Sequence, residues 1–256
     1  MFAVLYESLA IADAEVRKLR RDPTELLSRA IQPVLWLVVF GQVFSAVRGI
    51  PTGQLRYLDY MAPGILAQSI LFSSIFYGIA IIWERDLGIV HKLLVTPAHR
   101  SALVLGKALA ATLRGLVQTL VVYLIAAALH VSIRLQPLAI ITVICSVCVG
   151  ACIFSTFSLV IACIVKTRER FMGIGQVLTM PLFFASNAIY PLDLMPPWLR
   201  VIATINPLTY LVDTLRSGMI VGGMNNYALT TSFGVMIAVF AVLLFIGARL
   251  YPSLAS

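Results

Sequence analysis

The sequence predicts an all-α polytopic membrane protein with six transmembrane helices, and three observations predict it. Of 256 residues, 60% are hydrophobic and 12% are charged, against roughly 25% charged in a soluble domain. Apolar runs able to cross a hydrocarbon core of about 30 Å, which takes roughly 20 residues at helical rise, occur at 30–47, 63–83, 115–133, 138–165, 171–190 and 229–248. The net charge of +8 sits in short tracts between those runs. A nucleic-acid-binding domain instead gathers its Lys and Arg on one face, so the charge reads as membrane topology and nucleic acid is not expected as a partner.

Ahead of the first run, Phe2, Leu5, Leu9, Ala12, Val16 and Leu19 recur at helical spacing, with Glu7, Asp13, Arg17, Lys18 and Arg20 largely elsewhere on the wheel. Residues 1–29 are therefore expected as an amphipathic N-terminal segment lying on a leaflet, either as a plain anchor or as a contact for a partner. Met1 to Arg21 ends in charge, whereas a signal peptide begins with it. The first span is thus expected to stay in place. It contains Pro33, and the third run is preceded by Lys107 and Arg114, two cations whose long stems let them snorkel to an interface.

Orientation follows from Lys and Arg. Fourteen of the 19 fall in 1–29, 84–114, 166–170 and 249–256, and the other 5 in 48–62, 134–137 and 191–228. By the positive-inside rule the first group is cytoplasmic, both termini included. Residues 191–228 are broken by Pro191, Pro196, Pro197 and Pro207 and carry Asp193, Arg200, Asp213 and Arg216. A segment so interrupted fits outer re-entrant or interfacial helices before the last span, 229–248, because irregular backbone at membrane depth must be buried in protein. With 30–190 holding spans one to five, residues 1–256 form a single membrane domain.

The chemistry that is missing narrows the function. Every Asp and Glu lies outside the runs or at their ends, whereas an ion-coupled pump usually keeps a carboxylate within the membrane. The Gly106-Lys107 pair is followed by Ala108 and lacks the upstream glycine of a P-loop. No G-x-S-x-G or H-E-x-x-H occurs, and the chain is not expected to be an enzyme or to hold a metal or cofactor. Cys145, Cys148, Cys152 and Cys163 share one apolar run. There they read as small packing residues, the redox or metal alternative requiring thiolates in hydrocarbon.

Between the second and third runs the order Trp83-Glu84-Arg85-Asp86-Leu87-Gly88-Ile89-Val90-His91-Lys92-Leu93-Leu94-Val95-Thr96-Pro97 mixes both charge signs with apolar Leu87, Val90 and Leu94. It predicts a short amphipathic cytoplasmic helix stopped at Thr-Pro. From physics alone, it is equally a docking element for a soluble motor and a connector between spans.

Four pieces then resemble one family, the membrane subunits of ABC-2 type transporters, in the branch of daunorubicin exporters and nodulation-factor exporters. They are the basic amphipathic N-terminal helix; Tyr60-Met61-Ala62-Pro63-Gly64-Ile65; Glu84 to Gly88 with Leu93 to Pro97; and Ala188-Ile189-Tyr190-Pro191-Leu192 with Met195-Pro196-Pro197-Trp198-Leu199 and Ile205-Asn206-Pro207-Leu208-Thr209-Tyr210. The resemblance covers essentially the whole chain. It implies six spans, an N-terminal elbow helix, re-entrant helices before the last span, and a homodimer, or a heterodimer with a similar permease, in a bacterial inner membrane. Two copies of a separate ATPase, which binds the ATP and Mg, would drive it.

By the same resemblance Glu84, Arg85, Asp86, Leu87, Gly88, His91, Lys92, Leu94, Thr96 and Pro97 become the ATPase-coupling loop. Lys166, Arg168, Glu169 and Arg170 are a second contact or simply a topology-setting cluster. Trp36, Phe40, Phe72, Phe76, Tyr77, Phe183, Phe184 and Asn187 are candidates for a substrate path for a drug, lipid or glycolipid, with helix packing as the plainer alternative. A membrane anchor or assembly factor, and a secondary transporter or channel, are the rival functions.

Overall fold

A computed structural model describes residues 6–9, 13, 17, 31–47, 52, 55–89, 100–165 and 167–252. Nearly all of these are helical, and the one β feature is an isolated antiparallel bridge between Ile133 and Ile220. Residues 31–35 are helical, Trp36–Gly41 form a π-helical stretch, and α1 (Gln42–Val47) continues from it. The long helices are α2 (Tyr57–Asp86), α3 (Arg100–Ala128) and α4 (Pro137–Ile164). After them come α5 (Arg168–Phe184), a 3-10 turn at Leu192–Leu194, α6 (Pro197–Ile205), α7 (Pro207–Met219) and α8 (Leu229–Leu250). Most of the N-terminal 1–29 segment, and with it the expected elbow, lies outside the described residues.

Among the described residues, four helices are long and apolar enough to cross a membrane: α2, α3 from Ser101, α4 and α8. The expected runs at 30–47 and 171–190 correspond to shorter helices, Ile31–Ser45 and Arg168–Phe184. The centre is α4, which packs against α2, α3, α7 and α8. The apolar stretch of α2 is mostly covered by protein, whereas that of α8 is mostly bare. Ile237, Val242 and Phe245 point outward on α8. Such a bare apolar surface suits a bilayer, where lipid tails are as apolar as the side chains.

Two expected boundaries move, and the causes are visible. The third run, read as 115–133, is a helix over Arg100–Ala128. Lys107 and Arg114 do not snorkel but are buried at 3% and 7% exposure, so the helix extends through them. It stops in a Schellman arrangement, the Val131 N–H donating to Ala126 and the His130 N–H to Ala127, with His130 at φ +54°. The fifth helix ends at Phe184 instead of near 190. The Asn206 side-chain amide donates to the carbonyls of Leu182, at 2.7 Å, and Ala185, at 2.9 Å. A helix terminus leaves its last carbonyls without partners, and a side chain reaching in from beyond the helix meets that need.

Close approach of backbones depends on glycine. A Cβ on Gly150 would fall 2.7 Å from the Leu211 side chain, so α4 and α7 meet through it. At Gly64 a Cβ would overlap the Ala188 carbonyl oxygen and lie 2.8 Å from the carbonyl carbon. Small residues at such crossings are how membrane helices gain packing energy.

Candidate functional site

The two ends of the bundle carry different polar assemblies, and a row of rings lies beside the one at the start of α2. At one end α2 finishes with Trp83, Glu84, Arg85 and Asp86. Glu84 turns inward onto α3, where its carboxylate sits 2.5 Å from the Lys107 ammonium, both side chains being under 10% exposed. Asp86 turns the other way and accepts from Arg85 at 2.9 Å and from Arg168, the first residue of α5, at 2.7 Å. The Arg168 guanidinium also stacks 3.7 Å above the Trp83 ring. Thr167 caps α5, accepting from the Arg170 N–H at 3.4 Å.

The end of α2 and the start of α5, 82 residues apart in sequence, are thus joined by Asp86 and Arg168. Beyond them the chain turns: the Leu87 N–H donates to Trp83, and Gly88 takes φ +72°, a left-handed value suited to glycine. Leu87 is 67% exposed, and Glu169 and Arg170 are exposed as well. The expected separate helix over 83–97 therefore starts with the last turn of α2. His91, Lys92, Leu94, Thr96, Pro97 and Lys166 lie outside the described residues. The Asp86–Arg168 pair is partly exposed, so its own stability contribution is about 1 kcal/mol at most. Arg168→Ala is expected to lower the thermal midpoint in detergent by about 3 °C or less, read by a thermal-shift assay.

Of the expected path residues, four come together. Trp36 meets Phe40 at a centroid distance of 4.6 Å and Phe183 at 5.8 Å, and Phe183 meets Phe184 at 5.4 Å. The row continues through Phe44 and Tyr57, neither singled out by sequence reasoning. It begins in the π-helical stretch, where an extra residue per turn changes which side chains share a face. Phe183 is fully buried, whereas Phe40 and Phe184 are exposed. Phe72 is buried on α2, and the side chains of Phe76 and Tyr77 lie outside the described residues.

Asn187 belongs to a different assembly, at the end of the bundle opposite Trp83. Its side-chain amide donates to Asp213 at 3.0 Å, and its carbonyl accepts from Arg216 at 2.7 Å and from the Tyr60 hydroxyl at 3.1 Å. Asp213 also accepts from the Asn226 amide and the Tyr227 N–H. Arg216 lies 3.8 Å above the Tyr60 ring. Nearby, Asp59 accepts from Arg56 and from Ser132, and Arg56 donates to the His130 carbonyl. Sequence reading placed Asp213 and Arg216 in an outer segment without a role; an acid and a base three positions apart in the otherwise uncharged α7 was the available signal. The four cysteines are free thiols, Cys152 lying 3.4 Å from the Thr112 hydroxyl on α3.

A nearly all-helical chain with several helices long and apolar enough to span a membrane has the make-up of a polytopic membrane protein. The family model for the ABC-2 type transporter matches residues 6–220, and the chain belongs to that family. The ycf38 protein of Cyanophora paradoxa is 32% identical over 78% of this chain and 69% of its own length. The inner membrane transport permease YadH of Escherichia coli (strain K12) is 25% identical, over 83% of this chain and 81% of its own. DrrC of Mycobacterium tuberculosis (strain CDC 1551 / Oshkosh), named as a probable doxorubicin resistance ABC transporter permease protein, is 27% identical over 79% and 72%. Membership makes the chain a membrane subunit that works with a separate ATP-binding-cassette ATPase.

Proposed function

We propose that the chain is the permease subunit of an ATP-driven exporter, moving a hydrophobic or amphipathic drug, lipid or glycolipid out of the cytoplasm or the inner leaflet. The observation that carries this reading beyond family membership is the junction of Asp86 with Arg168 beside the exposed Leu87. The Trp83 end is then cytoplasmic, in line with the Lys and Arg bias and with both termini inside. Six spans are completed by Ile31–Ser45 and α5, and α6 with α7 form the outer re-entrant region. Two copies of the chain, or this chain with a similar permease, work with two ATPase subunits that bind ATP and Mg.

A push on Leu87 and Gly88 passes through Asp86 to Arg168 and so along α5, whose far end carries Phe183 and Phe184. A 17-residue helix is about 25 Å long, and a rigid element of that length transmits a shift at one end to the rings at the other. Glu84, held against Lys107, fixes α2 to α3 and is not available as the charged face offered to the ATPase. The DrrC name supports an amphipathic, partly aromatic cargo, which suits the exposed rings of Phe40 and Phe184.

The test is Leu87→Glu, copurified in nanodiscs with the ATP-binding-cassette ATPase that the parent protein binds. An exposed substitution leaves the fold near its original stability, so the protein is expected to accumulate normally while bound ATPase falls about tenfold, the effect of ~1.4 kcal/mol. Undiminished binding and unchanged ATP hydrolysis would remove the coupling role.

A further inference from the structure

Asp213 and Arg216 are 0% and 1% exposed, and nothing in the coupling scheme uses them. Burying two charges costs several kcal/mol each unless they are paired or hydrogen-bonded, and an ionisable residue at such a position is a functional candidate by default. Opposite charges three residues apart on a helix are neighbours that readily pair. Here no ion pair joins them. Instead each is held through neutral groups on other elements. Arg216 donates from Nη2 to the carbonyls of Asn187, at 2.7 Å, and Tyr60, at 3.4 Å. Asp213 accepts from Asn187, Asn226 and Tyr227 at 2.8–3.0 Å.

We propose that α7 is a two-position latch at the Arg56 end of the bundle. In the closed position Arg216 clamps α2, through Tyr60, to the turn at 185–190. On opening, the guanidinium leaves both carbonyls and pairs with Asp213 on its own helix. The proposal rests on the reading that the chain is an ATP-driven permease whose Arg56 end opens outward.

Two features make the second position accessible. The closed position under-uses the cation: a guanidinium has five N–H donors, yet both bonds come from one nitrogen, and Nε has no hydrogen-bond partner among the described residues. The alternative partner travels with it, so parting α2 from the 185–190 turn never strands a buried charge. A conformational change needs contacts that differ between its two states, and exchange of carbonyls for a carboxylate provides them.

The latch and a static brace respond differently to substitution. Asp213→Asn keeps an oxygen acceptor for the Asn187 and Asn226 amides, gives up the bond from the Tyr227 N–H, and removes the second-position charge, so it holds the latch closed. Arg216→Lys keeps the charge but loses the fork and the ring stacking, so it loosens the closed position. The reporter is Ser186→Cys, at a buried hydroxyl beside the clamp, in the full chain with Cys145, Cys148, Cys152 and Cys163 replaced by alanine. The complex with the ATPase is held in nanodiscs and labelled with a polar maleimide.

Labelling is expected to be about fivefold faster for Arg216→Lys and about fivefold slower for Asp213→Asn than in the parent, at the low end of measured couplings between sites. Tyr60→Phe, which drops one hydroxyl bond to Asn187, is expected to speed labelling about twofold and serves if Arg216→Lys does not accumulate. ATP with vanadate is expected to speed labelling in the parent and not in Asp213→Asn. Rates moving the same way in the loosening and holding variants would overturn the latch. So would an equal ATP effect in every variant, which would leave the ATP-driven reading standing. No ATP effect in any variant, with the opposite shifts retained, would sink the ATP-driven reading and keep the latch.

Discussion

Glu84→Ala is expected to be the most destabilising single change at the Trp83 end. The Lys107 ammonium, 3% exposed, sits 2.5 Å from this carboxylate. Removing one member of a buried pair costs about 3–5 kcal/mol, because the other charge stays in a poor solvent. In a domain of this size each kcal/mol moves the thermal midpoint by about 2–4 °C, so a drop of roughly 6–20 °C is expected in a thermal-shift measurement. Joint replacement, Glu84→Leu with Lys107→Met, is expected to recover most of the loss, since an apolar pair of similar volume is often neutral or better. A drop below about 2 °C for the single variant would mean that water or another partner compensates the Lys107 charge.

Gly64→Ala is expected to follow closely. The added methyl has no flexible side chain to displace: its nearest neighbours are the carbonyl and Cα of Ala188. Overpacking typically costs 1–3 kcal/mol, and a clash with backbone belongs at about 3 kcal/mol or above. The same change at Gly173 or Gly234, where a Cβ meets nothing within 4 Å, is expected to be neutral or slightly stabilising, since alanine is the better helix former. Recovery of monodisperse protein from detergent, measured by size exclusion for all three variants, checks the contrast. Equal recovery would mean that α2 and the 185–190 turn separate freely.

Hydrophobic runs and the Lys and Arg bias made the helical membrane class legible, because both follow from solvent alone. Lys107 misled, since a cation in sequence looks the same whether it faces water or a buried carboxylate such as Glu84. The end of α5 was hidden for a related reason: its carbonyls are satisfied by Asn206, a partner no local pattern announces. At the site, Asp86 and Arg168 were each noticed, but their contact spans 82 residues. Periodicity does not report contacts at that range. Arg216 was harder still, because its partners are the carbonyls of Tyr60 and Asn187, and backbone groups carry no sequence signal. The aromatic row was half visible: Trp36, Phe40, Phe183 and Phe184 were picked as side-chain types, while Phe44 and Tyr57 join them through the helix geometry.

The reach of Asn206 back to Leu182 and Ala185 sets an order for biogenesis. The last turn of α5 cannot be completed until a residue more than 20 positions later has left the ribosome, about one to four seconds at roughly 5–20 residues per second. During that interval the two carbonyls lack this partner, and a polar group left unsatisfied away from water costs free energy. A chain cut between 185 and 206 lacks that cap and is expected to accumulate in membranes to a lower level than the full chain.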